Sequence, residues 1–327
     1  MGRRILSYCR RRWKRVLALT LLFVFAAMNL VAYLHARAFT RFGPPGTKVP
    51  KVETITTAQK IGVLLTGASH PRPINDIDPL IEGLEFSTLT IPSGDVQLEA
   101  WRIPNANARR MVVLFHGHGA CKCGLIREAK AFHDLACECL LVDFRAGGGS
   151  TGDVCTLGVA EADDVAAAVK AAREFAPSLP VFLFGQSMGG SAVLRAVAHN
   201  QVQADGLVIE STFDRLFTTV QHRFELMGLP SFPMARLLVF WGGAQHGFNA
   251  FTHDPVEYAR RVTTPTLLMH GDRDVMVHTD EARAIFAALA GPKTFHLFPN
   301  AAHESYLFRS PKEWTELVEQ FLSDKSK

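Results

Sequence analysis

Gly185-Gln186-Ser187-Met188-Gly189 follows the short apolar run 181–184 and opens a stretch of helix-forming residues. A serine between two glycines at a strand-to-helix turn is the nucleophile-elbow pattern: the turn is sharp, and a β-carbon at either glycine would crowd the neighbouring strand and helix. Such a turn lifts the Ser187 hydroxyl above the sheet edge and aims free N–H groups of the helix at a developing oxyanion. A serine hydroxyl is a poor nucleophile near neutral pH and needs a base. Downstream, the run 266–270 ends in Gly271-Asp272-Arg273-Asp274, and His303 lies in Asn300-Ala301-Ala302-His303-Glu304 after the run 294–298. An acid in the first of these loops, Asp272 or Asp274, could orient the imidazole. His303 would take the serine proton and pass it to a leaving group, in the chain order serine, acid, histidine.

The elements that would position these residues are legible as alternating periods. Residues 86–91 and 96–103 alternate apolar and polar across a Ser93-Gly94 turn and read as an antiparallel opening pair. Runs at 111–115, 140–143, 181–184, 207–210, 266–270 and 294–298 are continuously apolar, as in buried parallel strands. Helical patterns at 124–136, 158–175, 188–199, 279–290 and 312–322 separate them, which predicts an α/β fold with helices on both faces of a mostly parallel sheet. Residues 211–262 are too long and too apolar for one crossover, and read as a helical cap over the C-terminal edge of the sheet.

The N-terminus carries a different signal. Arg3, Arg4, Arg10, Arg11, Arg12, Lys14 and Arg15 precede an uncharged run, 16–34, that would rise about 28 Å as a helix. The positive-inside rule predicts a cytoplasmic tail (1–15), an anchor (16–35) and an extracytoplasmic remainder, periplasmic or lumenal. The run is long for a cleaved signal peptide, although Ala36-Arg37-Ala38 would serve weakly as a cleavage site. Residues 36–85, with Gly43-Pro44-Pro45-Gly46 and Pro50, read as a linker and N-terminal extension before a body at 86–327. Without the seven N-terminal cations, 28 basic residues face 31 acidic ones, which removes the electrostatic case for nucleic-acid binding by the body.

Ser187 together with a downstream acid and His303 resembles the α/β-hydrolase fold serine hydrolases, in particular the group with serine aminopeptidase-like and monoacylglycerol-lipase-like members. His116-Gly117, Asp143-Phe144-Arg145 with 147–150, and His270-Gly271 carry the resemblance further, from about residue 86 to the C-terminus. The resemblance implies an eight-stranded sheet. It selects Asp274, four residues after His270, over Asp272, and it assigns the oxyanion hole to the backbone N–H groups of His118 and Met188. It gives no substrate match in 211–262.

Rival readings are blander. His116 and His118 could be a metal pair, but no further ligand is placed to complete a site. Glu210 reads as a brace for its loop, and the phenylalanines of 211–262 as packing, with an acyl pocket as the secondary possibility. Helix 124–136 holds Cys121 and Cys123 away from Cys137 and Cys139, whereas Cys155 shares their sheet edge, so a bridge from Cys155 to Cys121 or Cys123 is an expectation. No dinucleotide or P-loop motif appears, so no cofactor and no metal is implied. The resulting expectation is a membrane-anchored serine hydrolase acting on a small-molecule ester or acyl substrate. A peptidase or amidase on the same triad, or a non-catalytic binding protein of this fold, is the alternative.

Overall fold

The computed structural model describes residues 2–44, 56–68 and 70–323, with side chains from residue 12 onward. Pro45, Gly46 and Pro50 of the expected linker lie outside the described residues. Chain order begins with helix α1 (Gly2–Thr40), β1 (Phe42–Gly43), α2 (Thr57–Thr66) and β2 (His70–Pro71), the two short strands pairing in parallel. There follow β3 (Ser87–Ser93), β4 (Val96–Ile103), β5 (Arg110–Phe115), α3 (Ile126–Asp134), β6 (Cys137–Val142), α4 (Glu161–Phe175), β7 (Val181–Gln186), α5 (Met188–His199) and β8 (Gly206–Glu210). The cap holds α6 (Leu216–Leu226), α7 (Met234–Ala244) and α8 (Pro255–Ala259). The chain closes with β9 (Thr266–Gly271), α9 (Thr279–Ala288), β10 (Lys293–Phe298), α10 (Tyr306–Arg309) and α11 (Pro311–Ser323).

The main sheet has eight strands in the order β3-β4-β6-β5-β7-β8-β9-β10, antiparallel at β3/β4 and β4/β6 and parallel from β6 to β10. β5 to β8 are almost wholly buried because both faces are covered, which is why their sequences do not alternate. One core lies under α4, α5, α8 and α9, and a second lies under α3, α10 and α11. β6 lies on one side of β5 and β7 to β10 on the other, so the direction of progression reverses at β5. The loops leaving β5 and β7 therefore open a crevice at the carboxyl ends of the strands.

α1 runs on to Thr40, past the end of the apolar run. From Arg12 to Ala26 it is exposed, and a docked part follows in which Ala32 and Ala36 are buried. The docking partner is α7 with the turn that follows it: Trp241 Nε1–H donates to Asn29 Oδ1 (3.2 Å), Tyr33 meets the Trp241 ring edge-on at 5.4 Å, and His246 Nε2–H donates to Thr40 Oγ1 (2.8 Å). Among the described residues α1 is the one helix long and apolar enough to cross a membrane.

The cysteine expectation is corrected. Cys121 and Cys123 are bonded to each other, with α-carbons 5.4 Å apart. Cys155 is free and buried, its Sγ 3.4 Å from Met188 Sδ. A partner two residues away already lies within bonding reach, so no approach of a second loop is needed.

At the end of the cap, His253 ties this segment to the body. Its Nε2–H faces Leu157 O (2.9 Å), and Nδ1 accepts from the Tyr258 hydroxyl (2.9 Å). Burial pushes its pKa down to about 4. Between pH 6.5 and about 4 the unfolded chain binds the proton and the folded one does not, so stability falls as pH falls through this window, by about 1.4 kcal/mol per unit. Glu210, raised to about 8 by burial and by Glu128, acts in the opposite sense over an overlapping range. The expected result is therefore a difference: urea unfolding of His253→Gln shows a shallower loss from pH 6.5 to 4 than the parent. Parallel curves would place His253 in water.

Candidate active site

Ser187 sits between β7 and α5 at φ 53°, ψ −116°, a conformation that L-residues rarely adopt and that turns the chain in a single residue. The glycines around it permit the turn. A β-carbon on Gly185 would stand 2.7 Å from Gly190 N, and one on Gly189 would strike the Phe115 carbonyl. Ser187 N–H is held by Glu210 O (2.7 Å), and Thr212 Oγ1–H donates to Ser187 O (2.9 Å), so β8 and its loop fix the elbow from behind.

Two further loops converge on the hydroxyl. His303, after β10, has Nε2 3.1 Å from Ser187 Oγ and Nδ1 2.7 Å from Asp274 Oδ2. Because the carboxylate can only accept, Nδ1 carries the proton and Nε2 is free to accept from the serine. Asp274, after β9, is buried, and its other oxygen accepts from the N–H groups of Met276 (2.8 Å) and Val277 (2.9 Å). Burial alone would raise its pKa. The hydrogen bond and charge of His303 and these two amides outweigh it and hold the carboxyl below its usual range. Asp272 instead accepts from Asn300 N–H (2.7 Å), which shapes the loop that carries His303.

The loop after β5 brings His116, Gly117 and His118 to the same point, with a β-carbon on Gly117 only 3.5 Å from Ser187 Cβ. Among the described residues neither His118 N–H nor Met188 N–H has a hydrogen-bond partner. His116 donates through Nδ1 to Gly117 O (2.8 Å) and accepts at Nε2 from Phe144 N–H (3.1 Å), which pins this loop to the one after β6. Both of its nitrogens are engaged, so it has no lone pair to offer a metal.

His118 has partners that the sequence did not point to. Its ring stacks on Phe39 at the end of α1 (centroids 4.5 Å, 17°), lies 6.2 Å from the His70 ring and is hydrogen-bonded to the Phe39 backbone. Burial, then the proximity of His70, push its pKa down to about 4, so it is neutral above that. No motif could have signalled this, since residues 39–70 have no pattern linking them to the loop after β5. Arg223, on α6, is the second missed residue. Its charge acts on Asp274, Glu281 and His118, and among the described residues its guanidinium makes no hydrogen bond or close ion pair. Glu210 is wholly buried and accepts from Trp314 Nε1–H (2.6 Å), the arrangement of a brace.

A twisted, mostly parallel eight-stranded sheet with a serine at the strained turn after β7, opposite a histidine loop and an acid loop, is the α/β-hydrolase fold. The chain belongs to the serine aminopeptidase family S33, whose pattern matches residues 106–228 and 244–307. It is 22% identical over 254 residues to YqkD of Bacillus subtilis (strain 168), a protein described as uncharacterized; the match covers 76% of this chain and 83% of that one. Among solved structures it is similar to the Pyrococcus furiosus esterase Pf2001 (TM-score 0.65, 23% identity, 78% of this chain and 96% of that one). It is also similar to Est1E from Butyrivibrio proteoclasticus (TM-score 0.56, 18% identity, 73% and 98%). The family and fold make the protein a hydrolase of this class.

Proposed function

We propose that the protein is a membrane-anchored serine hydrolase that cleaves carboxylic esters, with Ser187, His303 and Asp274 as its triad. The observation that carries the reading is the unbroken chain Ser187 Oγ–His303–Asp274, with an acceptor nitrogen turned to the serine. Ser187 Oγ attacks the ester carbonyl while His303 Nε2 takes its proton. The N–H groups of His118 and Met188 receive the oxyanion, and His303 returns the proton to the leaving alcohol. Water, deprotonated by the same nitrogen, then releases the acid from the acyl-enzyme. Asp274 stabilises the imidazolium at both stages. The hydrolase unit is read as 86–327 with its cap at about 211–262, and the basic residues before the apolar run support a cytoplasmic N-terminus with the body on the far side.

Esters are favoured over aminopeptidase substrates by charge. An aminopeptidase must hold a substrate ammonium near the scissile bond, whereas the cap here supplies Arg223, whose positive charge is felt at Asp274 and His118. The test is a rate series on the full-length protein in detergent micelles, using esters of graded acyl length beside aminoacyl amides. Hydrolysis that rises with acyl length and is absent on the amides is the expected result. Turnover of aminoacyl amides alone would replace the ester reading with the peptidase one.

A further inference from the structure

Cap helix α6 packs on the loop that carries Asp274. Leu216 of α6 and Val277, three residues past Asp274, share one hydrophobic cluster, and Val220 packs against it. One turn further along α6, His222 stacks on His278 (centroids 3.9 Å, 21°), and its Nδ1 lies 3.0 Å from Glu281 Oε1 at the start of α9. Arg223 follows Leu216 by seven residues and Val220 by three, so it continues the stripe that these two turn toward the body. It is half-buried there. A cation on the packed stripe of a helix is costly unless something negative meets it.

The charges around it leave that need unmet. Burial lowers the Arg223 pKa, and the pull of Asp274 and Glu281 offsets this only in part. Neither carboxylate is available to pair with it. Asp274 gives one oxygen to His303 Nδ1–H and the other to the amides of Met276 and Val277. Glu281 accepts from His278 N–H (2.9 Å) and Asp214 N–H (3.3 Å), and burial pushes it up to about 8, so near neutral pH it brings little charge. Asp214 is itself paired with Arg215. His118, the third group that feels the guanidinium, is neutral above pH about 4. The position thus lacks one negative charge. A carboxylate would meet the guanidinium fork to fork, whereas a phosphate dianion would bring a second charge toward Asp274 with no cation to receive it.

We infer that Arg223 binds a carboxylate of the substrate, so that the ester cleaved at Ser187 is one that carries a second, unesterified carboxylate in its acyl or its alcohol part. This rests on reading Ser187, His303 and Asp274 as an ester-cleaving triad. Arg223 takes no part in proton transfer. It determines specificity by holding the substrate's charge while the carbonyl lies at Ser187, and a neutral ester leaves the guanidinium withdrawn from water and unpaired.

The experiment compares kcat/KM within two pairs of esters on the full-length protein in detergent micelles. Monomethyl adipate is set against methyl hexanoate, and the butyrate ester of glycolate against ethyl butyrate. In each pair a methyl group replaces the carboxylate, which lies in the acyl part of the first and the alcohol part of the second. The parent is expected to prefer the carboxylate ester of at least one pair by roughly 10- to 100-fold, the worth of a charge-assisted hydrogen bond. Arg223→Gln is expected to cut that preference by at least about tenfold, chiefly through KM, and Arg223→Lys to retain part of it. Arg236→Gln, an equal loss of charge on α7 of the same cap, is expected to keep it. A parent that favours neither carboxylate ester, or a preference that survives Arg223→Gln, would overturn the inference. Binding is read separately by calorimetry on Ser187→Ala, where adding Arg223→Gln is expected to weaken monomethyl adipate by at least about tenfold. A parent that cleaves none of these esters while that difference in binding persists overturns the ester reading and leaves the carboxylate site in place, because binding does not depend on turnover.

Discussion

Ser187→Ala will lower ester turnover by roughly 10⁴- to 10⁶-fold and abolish labelling by a fluorophosphonate, because the hydroxyl is the only atom in the arrangement that can form the acyl bond. His303→Ala is expected to cost nearly as much, since a serine without its base has no way to lose its proton. The double variant will be scarcely worse than either single one, as groups acting in one step are not additive. Asp274→Asn is the more discriminating change. It keeps the shape of the loop but can donate to His303 Nδ1, which favours the tautomer that puts a hydrogen on Nε2, facing Ser187 Oγ. A loss of about 10⁴ with unchanged KM is the expected signature. Labelling of Ser187→Ala at the parent rate would show that another nucleophile carries the reaction. A folded parent that does not label at all would favour a non-catalytic binding protein.

Lys122→Ala is expected to destabilise the protein by about 3–5 kcal/mol. The Lys122 side chain is fully buried. Its Nζ lies 2.5 Å from Asp143 Oδ2, 2.6 Å from Glu99 Oε1 and 4.2 Å from the centre of the Trp101 ring. Asp143 also accepts from Lys122 N–H (2.7 Å), Gly149 N–H (2.9 Å) and Asn75 Nδ2–H (2.8 Å). Burial would raise the Asp143 pKa, but the charge of Lys122 and the hydrogen bonds it donates win and hold it below the usual carboxylate range. Removing the ammonium leaves an anion stranded in the core, and the loops after β5 and β6 lose the charge that joins them. Urea unfolding read at constant m measures the cost. Glu99→Gln, at a carboxylate one-third exposed, will cost much less. Because the Asp143 pKa is depressed in the folded state, its contribution is present above the unfolded value near 4 and lost as pH falls below it. A Lys122→Ala cost under about 1 kcal/mol would mean that water reaches the cluster.

The sheet was legible because period and burial agree. Strand β4 and helix α5 have the limits that alternation and the elbow predict, and most other strands differ by a residue or two at their ends. Ser187, Asp274 and His303 could be chosen because each follows a strand, and a parallel sheet brings such loops to one edge. What could not be read lies in contacts between segments with no shared pattern. Phe39 and His118 are 79 residues apart in the chain, and nothing in the type of either calls for the other. Arg223 sits on a cap helix whose sequence says amphipathic and nothing about direction. Cys121 and Cys123 were legible as a close pair, but spacing alone does not say whether neighbours bond to each other or to a third sulfur.

The docking of α1 on α7 also bears on how the protein can be matured. Ala36-Arg37-Ala38 has the small residues a signal peptidase prefers, yet in the folded protein it lies within a continuous helix, with Ala36 covered. A cut there would carry off Asn29, Tyr33 and Ala32. The Trp241 indole N–H would be left without its acceptor, and the face of α7 that α1 covers would be bare. In the folded chain the helix that carries this leader-like segment is also a structural strut for α7.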